Sequence, residues 1–245
     1  MLEVSRRATV RGPTFIRLLA RLTAADVSQS PQSLSDRLSE WIDWTQAVAL
    51  STALERKPSA APSEHRPASG AEDKACAQVR AALTHAIDGD PAFSASGSQT
   101  TAQSGDAQAA DYAFFRQRYL VLQQSMDAAI GRLRERLRDA LIANAPGMAR
   151  IAAMDAVMER ALSRRERTLW TAAPVLLGQH FERLRQVAQQ AAADADACGD
   201  APRVGGDAWL EGFRNDMRSV LLAELDVRLQ PAEGLLEALR TSAQR

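Results

Sequence analysis

The sequence predicts an all-α protein: a long antiparallel helical hairpin, extended by a third helix into a three-helix bundle, with a small N-terminal helical hairpin and disordered linkers. Three observations predict it. The apolar content leans on Ala and Leu, aromatic residues make up only 5% of the chain, and no useful run alternates with period two. That balance favours helices over sheets. In the middle of the chain, apolar residues recur every third or fourth position over a long span. Between the helical stretches lie segments dominated by Pro, Ser, Ala, Gln and Gly, which offer little to bury against the entropy of ordering.

The central span carries the main argument. Phe115, Tyr119, Leu122, Met126, Ala129, Leu133, Leu137 and Leu141 form one stripe, backed by Gln and Arg. A helix of that length needs a long partner beside it. Asn144, Pro146 and Gly147 supply a stop. The pattern resumes at Met148, Ile151, Met154, Met158, Ala161 and Leu162, then at Leu169, Ala173, Leu176, Leu177, His180, Phe181, Leu184, Val187 and Ala191. A short loop between two stripes favours an antiparallel hairpin. Pro174 predicts a kink or a restart in the second arm, the kink being preferred. Asp207 is expected to cap a third helix with Trp209, Phe213, Met217, Val220, Leu221, Leu225 and Leu229 apolar, ended or kinked by Pro231, with a short terminal turn at Leu235, Leu236 and Leu239.

Upstream, Met1–Arg11 reads as a basic, frayed arm, and Pro13 opens a first helix with Phe15, Leu18, Leu19 and Leu22 on one face. That helix is expected to pack on the next one rather than rest on a membrane surface as a basic amphipathic helix. Ser33 and Asp36 form a capping-box pattern for a second helix with stripe Leu34, Leu38, Trp41, Ile42, Thr45, Val48 and Leu54. Trp44 falls off the stripe; contact with the first helix is the preferred reading, an exposed partner site the other. The organisation expected is therefore an N-terminal helical hairpin over 1–56, a linker over 57–73, a short helix over 74–89, a second linker over 90–110, and a long helical bundle over 111–245. The short helix has Cys76, Val79, Leu83 and Ile87 on its stripe, with Gly89, Asp90 and Pro91 as its stop.

Thirty basic and thirty acidic residues give zero formal charge, so no global field draws the chain to nucleic acid or anionic lipid. No run of apolar residues is long enough for a transmembrane helix. Arg6-Arg7 lacks the apolar region an export signal needs. Cys76 and Cys198 have no CxxC partner or metal-ligand spacing. A cytoplasmic protein with free thiols is expected.

Candidate chemistry is sparse. His180 has Arg183 and Leu184 where a helical metal site would want Glu or His, so a core or boundary histidine is the expectation. His65 lies in a linker, and His85 with Asp88 forms a pair without a third member. No nucleophile elbow or phosphate loop is present, Gly205-Gly206 being too short and isolated. Met148, Met154 and Met158 read as gap-filling core residues. No catalytic residue, cofactor or metal ligand is assigned. Two arginine clusters, Arg132, Arg134, Arg136, Arg138 and Arg160, Arg164, Arg165, Arg167, would lie at similar heights on the two arms of the hairpin. One reading is an anion-binding band for nucleic acid or lipid headgroups. The preferred one is a solvated face paired with Glu135, Asp139, Glu159 and Glu166.

The segments Gly12-Pro13-Thr14-Phe15-Ile16-Arg17-Leu18-Leu19-Ala20-Arg21-Leu22 and Ser33-Leu34-Ser35-Asp36-Arg37-Leu38-Ser39-Glu40-Trp41-Ile42-Asp43-Trp44-Thr45 resemble the opening of an uncharacterised all-helical family of Burkholderia- and Xanthomonas-like proteobacteria. Residues 112–190 are compatible with the same family. The resemblance assigns no activity and gives no residue a role. Genes of that family neighbour an OmpA/MotB-like envelope protein, which implies an accessory subunit of an envelope-associated complex. The functional expectation is a non-catalytic protein–protein interaction or scaffold subunit, contacting its partner through Trp41 and Trp44 or an exposed stripe of the long hairpin, with homo-oligomerisation open to the long stripes. The alternative is nucleic-acid or anionic-membrane binding through the arginines.

Overall fold

The structure, a computed structural model, describes residues 14–23, 33–55, 69–93, 111–144, 148–198 and 208–243. The basic arm, Pro13, the linker residues 56–68 and 94–110, the 145–147 connection, the Gly205-Gly206 pair and the Asp207 cap lie outside them, as does the side chain of Cys198. The described residues form seven α-helices and one 3-10 turn: α1 (Thr14–Thr23), α2 (Leu34–Trp41), α3 (Trp44–Glu55), α4 (Ser69–Asp88), the turn Pro91–Phe93, α5 (Tyr112–Asn144), α6 (Ala149–Cys198) and α7 (Ala208–Ala243).

α5 buries the stripe that its spacing predicts: Phe115, Tyr119, Leu122, Met126, Leu133, Leu137 and Leu141 are all buried, with Ile130 beside the half-buried Ala129. Cross-helix pairs fix the directions. Gln123 reaches Trp170 and Arg138 reaches Asp155, so α5 and α6 are antiparallel. His180 meets Asp216 and Trp170 meets Arg228, so α6 and α7 are antiparallel, while Phe115 meets Phe213 and Asp127 meets Arg228, which makes α5 and α7 parallel.

A fourth long helix joins this bundle. α4 begins at Ser69, so residues 69–73 belong to it rather than to the linker expected over 57–73. It lies antiparallel to both α5 and α7. Arg136 bonds Glu72, and Arg240 bonds Asp73 at one end, while Arg218 bonds Asp88 at the other. Ala75, Leu83 and Ile87 are buried along its length. Its stop is held from inside. Asp90, 3% exposed, accepts from the Ala92 backbone N–H at 2.9 Å and from Arg118 at 2.6 Å. α5 and α7 are thus the shared central pair, with α4 and α6 in the grooves on either side.

The N-terminal helices dock on this bundle. α1 takes its main contacts from α6 and α7 instead of the next helix, burying Phe15, Leu19 and Leu22, with Phe15 edge-on to Trp170 at 5.3 Å. The second expected helix is two. Ser33 and Asp36 make the predicted capping box, but a second box follows: the Gln46 N–H donates to Asp43 and the Asp43 N–H to Gln46. The restart at Trp44 resets the helical phase. The continuous stripe expected through Thr45, Val48 and Leu54 is therefore broken, and those three side chains face solvent.

Pro174 neither breaks nor restarts α6, and Pro231 does not end α7; both lie inside continuous helices. A proline leaves the carbonyl four residues earlier without its helical donor. In α6 that carbonyl belongs to Trp170, and the Gln123 side-chain amide donates to it at 3.2 Å. On the same helix, the Tyr112 hydroxyl donates to the Pro174 carbonyl. The Tyr112 ring packs so close that a Cβ on Gly178 would stand 2.8 Å from it.

Candidate functional site

Two features stand out once the helices are in place. The first is α3. Its sequence carries no charge between Asp43 and Glu55, its polar residues there being only Thr45, Gln46, Ser51 and Thr52. Here one face is seated on α6: Ala53 is buried, and Ala49 and Leu50 are half-buried. The opposite face presents Trp44, Ala47, Val48, Ser51 and Leu54 to solvent, with Trp44 83% exposed. Trp44 is therefore not held by the first helix, correcting the preferred expectation. Trp41 is half-buried, and the Arg165 guanidinium stacks 4.4 Å above its ring.

The second is a polar interruption of the bundle. Between Ala152 and Trp170, the face of α6 turned toward α5 and α7 carries Asp155, Glu159, Ser163 and Glu166. The stripe expected there, Met154, Met158 and Ala161, is half-buried and stays outside the main core, as does the buried Val157. The reason is electrostatic. Arg134, 8% exposed, bonds Asp155 at 2.6 Å and Glu159 at 3.2 Å, and Arg138 bonds the same two acids at 3.0 and 2.6 Å. A buried charge is tolerated where it is paired in this way.

One layer along, Glu224 is fully buried between α5 and α7. It accepts from the Tyr119 hydroxyl at 2.5 Å, from the Gln123 amide at 2.8 Å and from Arg228 at 2.6 Å. Arg228 also bonds Asp127 and stacks 4.3 Å from the Trp170 ring. Burial pushes the Glu224 carboxyl up from its ordinary value, against the pull of Arg228 and its hydrogen-bond donors. The Tyr119 hydroxyl is pushed well up by burial and by the carboxylate it faces. Beside this network a cleft of about 310 Å³ opens between α5, α6 and α7.

The eight arginines do not share one surface. Arg134 and Arg138 are drawn into the acid pair, Arg136 reaches across to Glu72 on α4, and Arg165 stacks on Trp41. Arg160 donates to the Ala156 carbonyl on its own helix. Arg132, Arg164 and Arg167 are exposed. Of the acids expected as their partners, Glu159 serves; Asp155 and Glu72 take the other places. His180 is buried against Phe213, with Asp216 2.9 Å away, a boundary histidine in an interhelical pair. Among the described residues, no group of three His, Cys, Asp or Glu is placed to hold a metal ion, and no helix is long and apolar enough to cross a membrane.

Glu224 and Asp155 went unflagged in the sequence, and Gln123, expected on the wet back of its helix, is buried. Glu224 does leave a signal: it falls three residues after Leu221 on an otherwise apolar stripe. A charge on such a position marks a buried polar contact.

No curated protein and no solved structure matches the chain. One family model, described as "Protein of unknown function (DUF3348)", matches residues 1–241. That span takes in α1 to α6 and all but the final residues of α7, and the chain belongs to the DUF3348 family.

Proposed function

We propose that the protein is a non-catalytic, helical interaction subunit whose docking element is α3. The observation that carries the reading is the open face of that helix: Trp44, Val48 and Leu54 stand in solvent on an element without a charge between its ends. Large apolar side chains gathered on one exposed helical face mark contact sites, and Trp is the residue type most often found at their energetic centre. The matching surface is a partner helix with an uncharged stripe at the same spacing. An envelope-associated complex is the setting that the sequence resemblance suggests, and cytoplasm the compartment. The competing anion-binding reading has less to stand on, because Arg134, Arg136 and Arg138 are paired with carboxylates.

The test compares the full chain with a Trp44→Ser/Val48→Ser/Leu54→Gln variant as baits in a host extract, after circular dichroism has matched their melting. A partner held by the unmodified chain and lost from the variant supports the proposal. Equal capture by both refutes it. Binding to duplex DNA or anionic vesicles that weakens steeply with salt, and that Arg164→Gln/Arg167→Gln abolishes, would favour the arginine surface instead.

A further inference from the structure

The cleft between α5, α6 and α7 is not used by a docking function of α3, and its lining is unlike a packing defect. We propose that it binds a primary ammonium group carried on a short alkyl chain, with Glu166 as its counter-ion.

Two of its three cations are closed to a visitor. Arg228 is held by Glu224 and Asp127 and lies over the Trp170 ring. Arg134 has its terminal nitrogens on Asp155 and Glu159, and its Nε, without a hydrogen-bond partner among the described residues, is buried out of reach of solvent. The third, Arg167, stands exposed at the rim. The acids divide differently. Glu159 is paired with both Arg134 and Arg138, and one Asp127 oxygen is taken by Arg228. Glu166 is half-buried and makes no hydrogen bond or ion pair with any described residue. The second Asp127 oxygen is likewise unbonded within the described residues. The cleft therefore offers a visitor carboxylate acceptors, set against apolar walls from Ile130, Val227 and Pro231. That combination complements an alkylammonium: the chain lies on the apolar wall, and the three N–H donors meet the oxygens. The volume sits at the small end of ligand sites, sufficient for a diamine or a lysine side chain.

The charge environment agrees. Burial pushes the Glu166 carboxyl up, while Arg134 and Arg228 pull it down and Glu159 and Asp127 push it further up. A cation seated against Glu166 offsets that penalty. The charged groups facing Glu166 are Asp127 and Arg134 from α5, Glu159 and Arg167 from α6, and Arg228 from α7. Binding is therefore expected to weaken as pH falls through the raised Glu166 value.

The ammonium has two sources, a free small amine or a lysine of another chain, and separate probes distinguish them. Isothermal calorimetry on the full-length protein would use 1,4-diaminobutane and N-acetyl-lysine-methylamide, with 1,4-butanediol and succinate as neutral and anionic controls. Saturable binding of either amine, weakened at least about tenfold by Glu166→Gln, is the expected result. Lys74→Gln, on the exposed surface of α4 and outside the cleft, should leave it intact. Gly131→Leu is a second blocking variant, since Gly131 lines the cleft and a Cβ there meets nothing within 4 Å. Binding of the diamine alone assigns a free amine, and binding of the lysine derivative alone assigns a side chain. No saturable binding by either probe up to about 10 mM overturns the proposal. So does equal affinity in Glu166→Gln, or a preference for succinate.

Discussion

Replacing Gln123 with leucine should expose how α6 accommodates its proline. The Gln123 amide donates to the Trp170 carbonyl at 3.2 Å and to Glu224 at 2.8 Å. Leucine has a similar volume, so the packing change is small and the polar change dominates. Losing a hydrogen bond to a charged acceptor costs about 1.5–3 kcal/mol, and stranding a buried carbonyl costs about 1–3 kcal/mol. Gln123→Leu should therefore destabilise by about 3 kcal/mol or more. In a Pro174→Ala background the substituted residue brings a backbone N–H, the donor that the Trp170 carbonyl lacks, so the second contribution disappears. There the same Gln123→Leu change should cost about 1–3 kcal/mol less. Urea denaturation followed by far-ultraviolet circular dichroism on the four members of the cycle measures both numbers. A coupling smaller than about 0.5 kcal/mol would mean that Gln123 does not stand in for the missing helical donor, and the account of Pro174 would fail.

Other consequences are equally direct. Leu137→Ala, at a fully buried position on the α5 stripe, should cost about 2–5 kcal/mol in the same denaturation assay. Gly178→Ala should destabilise by about 1–3 kcal/mol, because the new Cβ meets the Tyr112 ring that Phe181 and Phe213 hold in place. Trp44→Ser should change stability by less than about 0.5 kcal/mol, its side chain being free of the core. Burial pushes the Tyr112 hydroxyl up to about 12 and the Tyr119 hydroxyl well above its ordinary value. Both folded values lie above the unfolded ones, so this stabilisation is complete below about pH 10 and is lost as pH rises through the folded values. These are the only tyrosines in the chain. Tyrosinate absorbance should therefore stay low at about pH 11 while the fold persists and jump on unfolding; a normal titration of either residue in the folded state would contradict the buried network.

Much of this architecture can be read from periodicity alone. The stripes of α5 and α7 are buried almost residue for residue, because both are long, uninterrupted and packed along their whole length. The reading loses ground where a local signal resets or outvotes the period. In α3 the Asp43–Gln46 capping box shifts the phase, and the predicted inward face turns outward. In the first third of α6 two stripes compete; the methionine one stays outside the main core, and the acidic one meets Arg134 and Arg138. Spacing cannot decide between them, since partner choice is set by residues about twenty positions away on α5. The fourth bundle helix is visible as a helix, but a short amphipathic segment between linkers does not announce its groove. The cleft is less legible still. Its parts come from three helices, and only Arg228 betrays itself as a charge on an apolar stripe.

The seat of α4 has a consequence for how the molecule is made. Its groove consists of α5 and α7, yet α7 starts 120 positions after α4 ends, at Ala208 against Asp88. At synthesis rates of about 5–20 residues per second, α4 waits on the order of ten seconds with one wall of its berth still missing. During that interval the buried stripe of α4, with Leu83 and Ile87, lacks the cover that α7 supplies to the groove. A nascent chain halted before residue 208 should thus present a sticky surface to chaperones, and release of the last helix is the event that shuts it away.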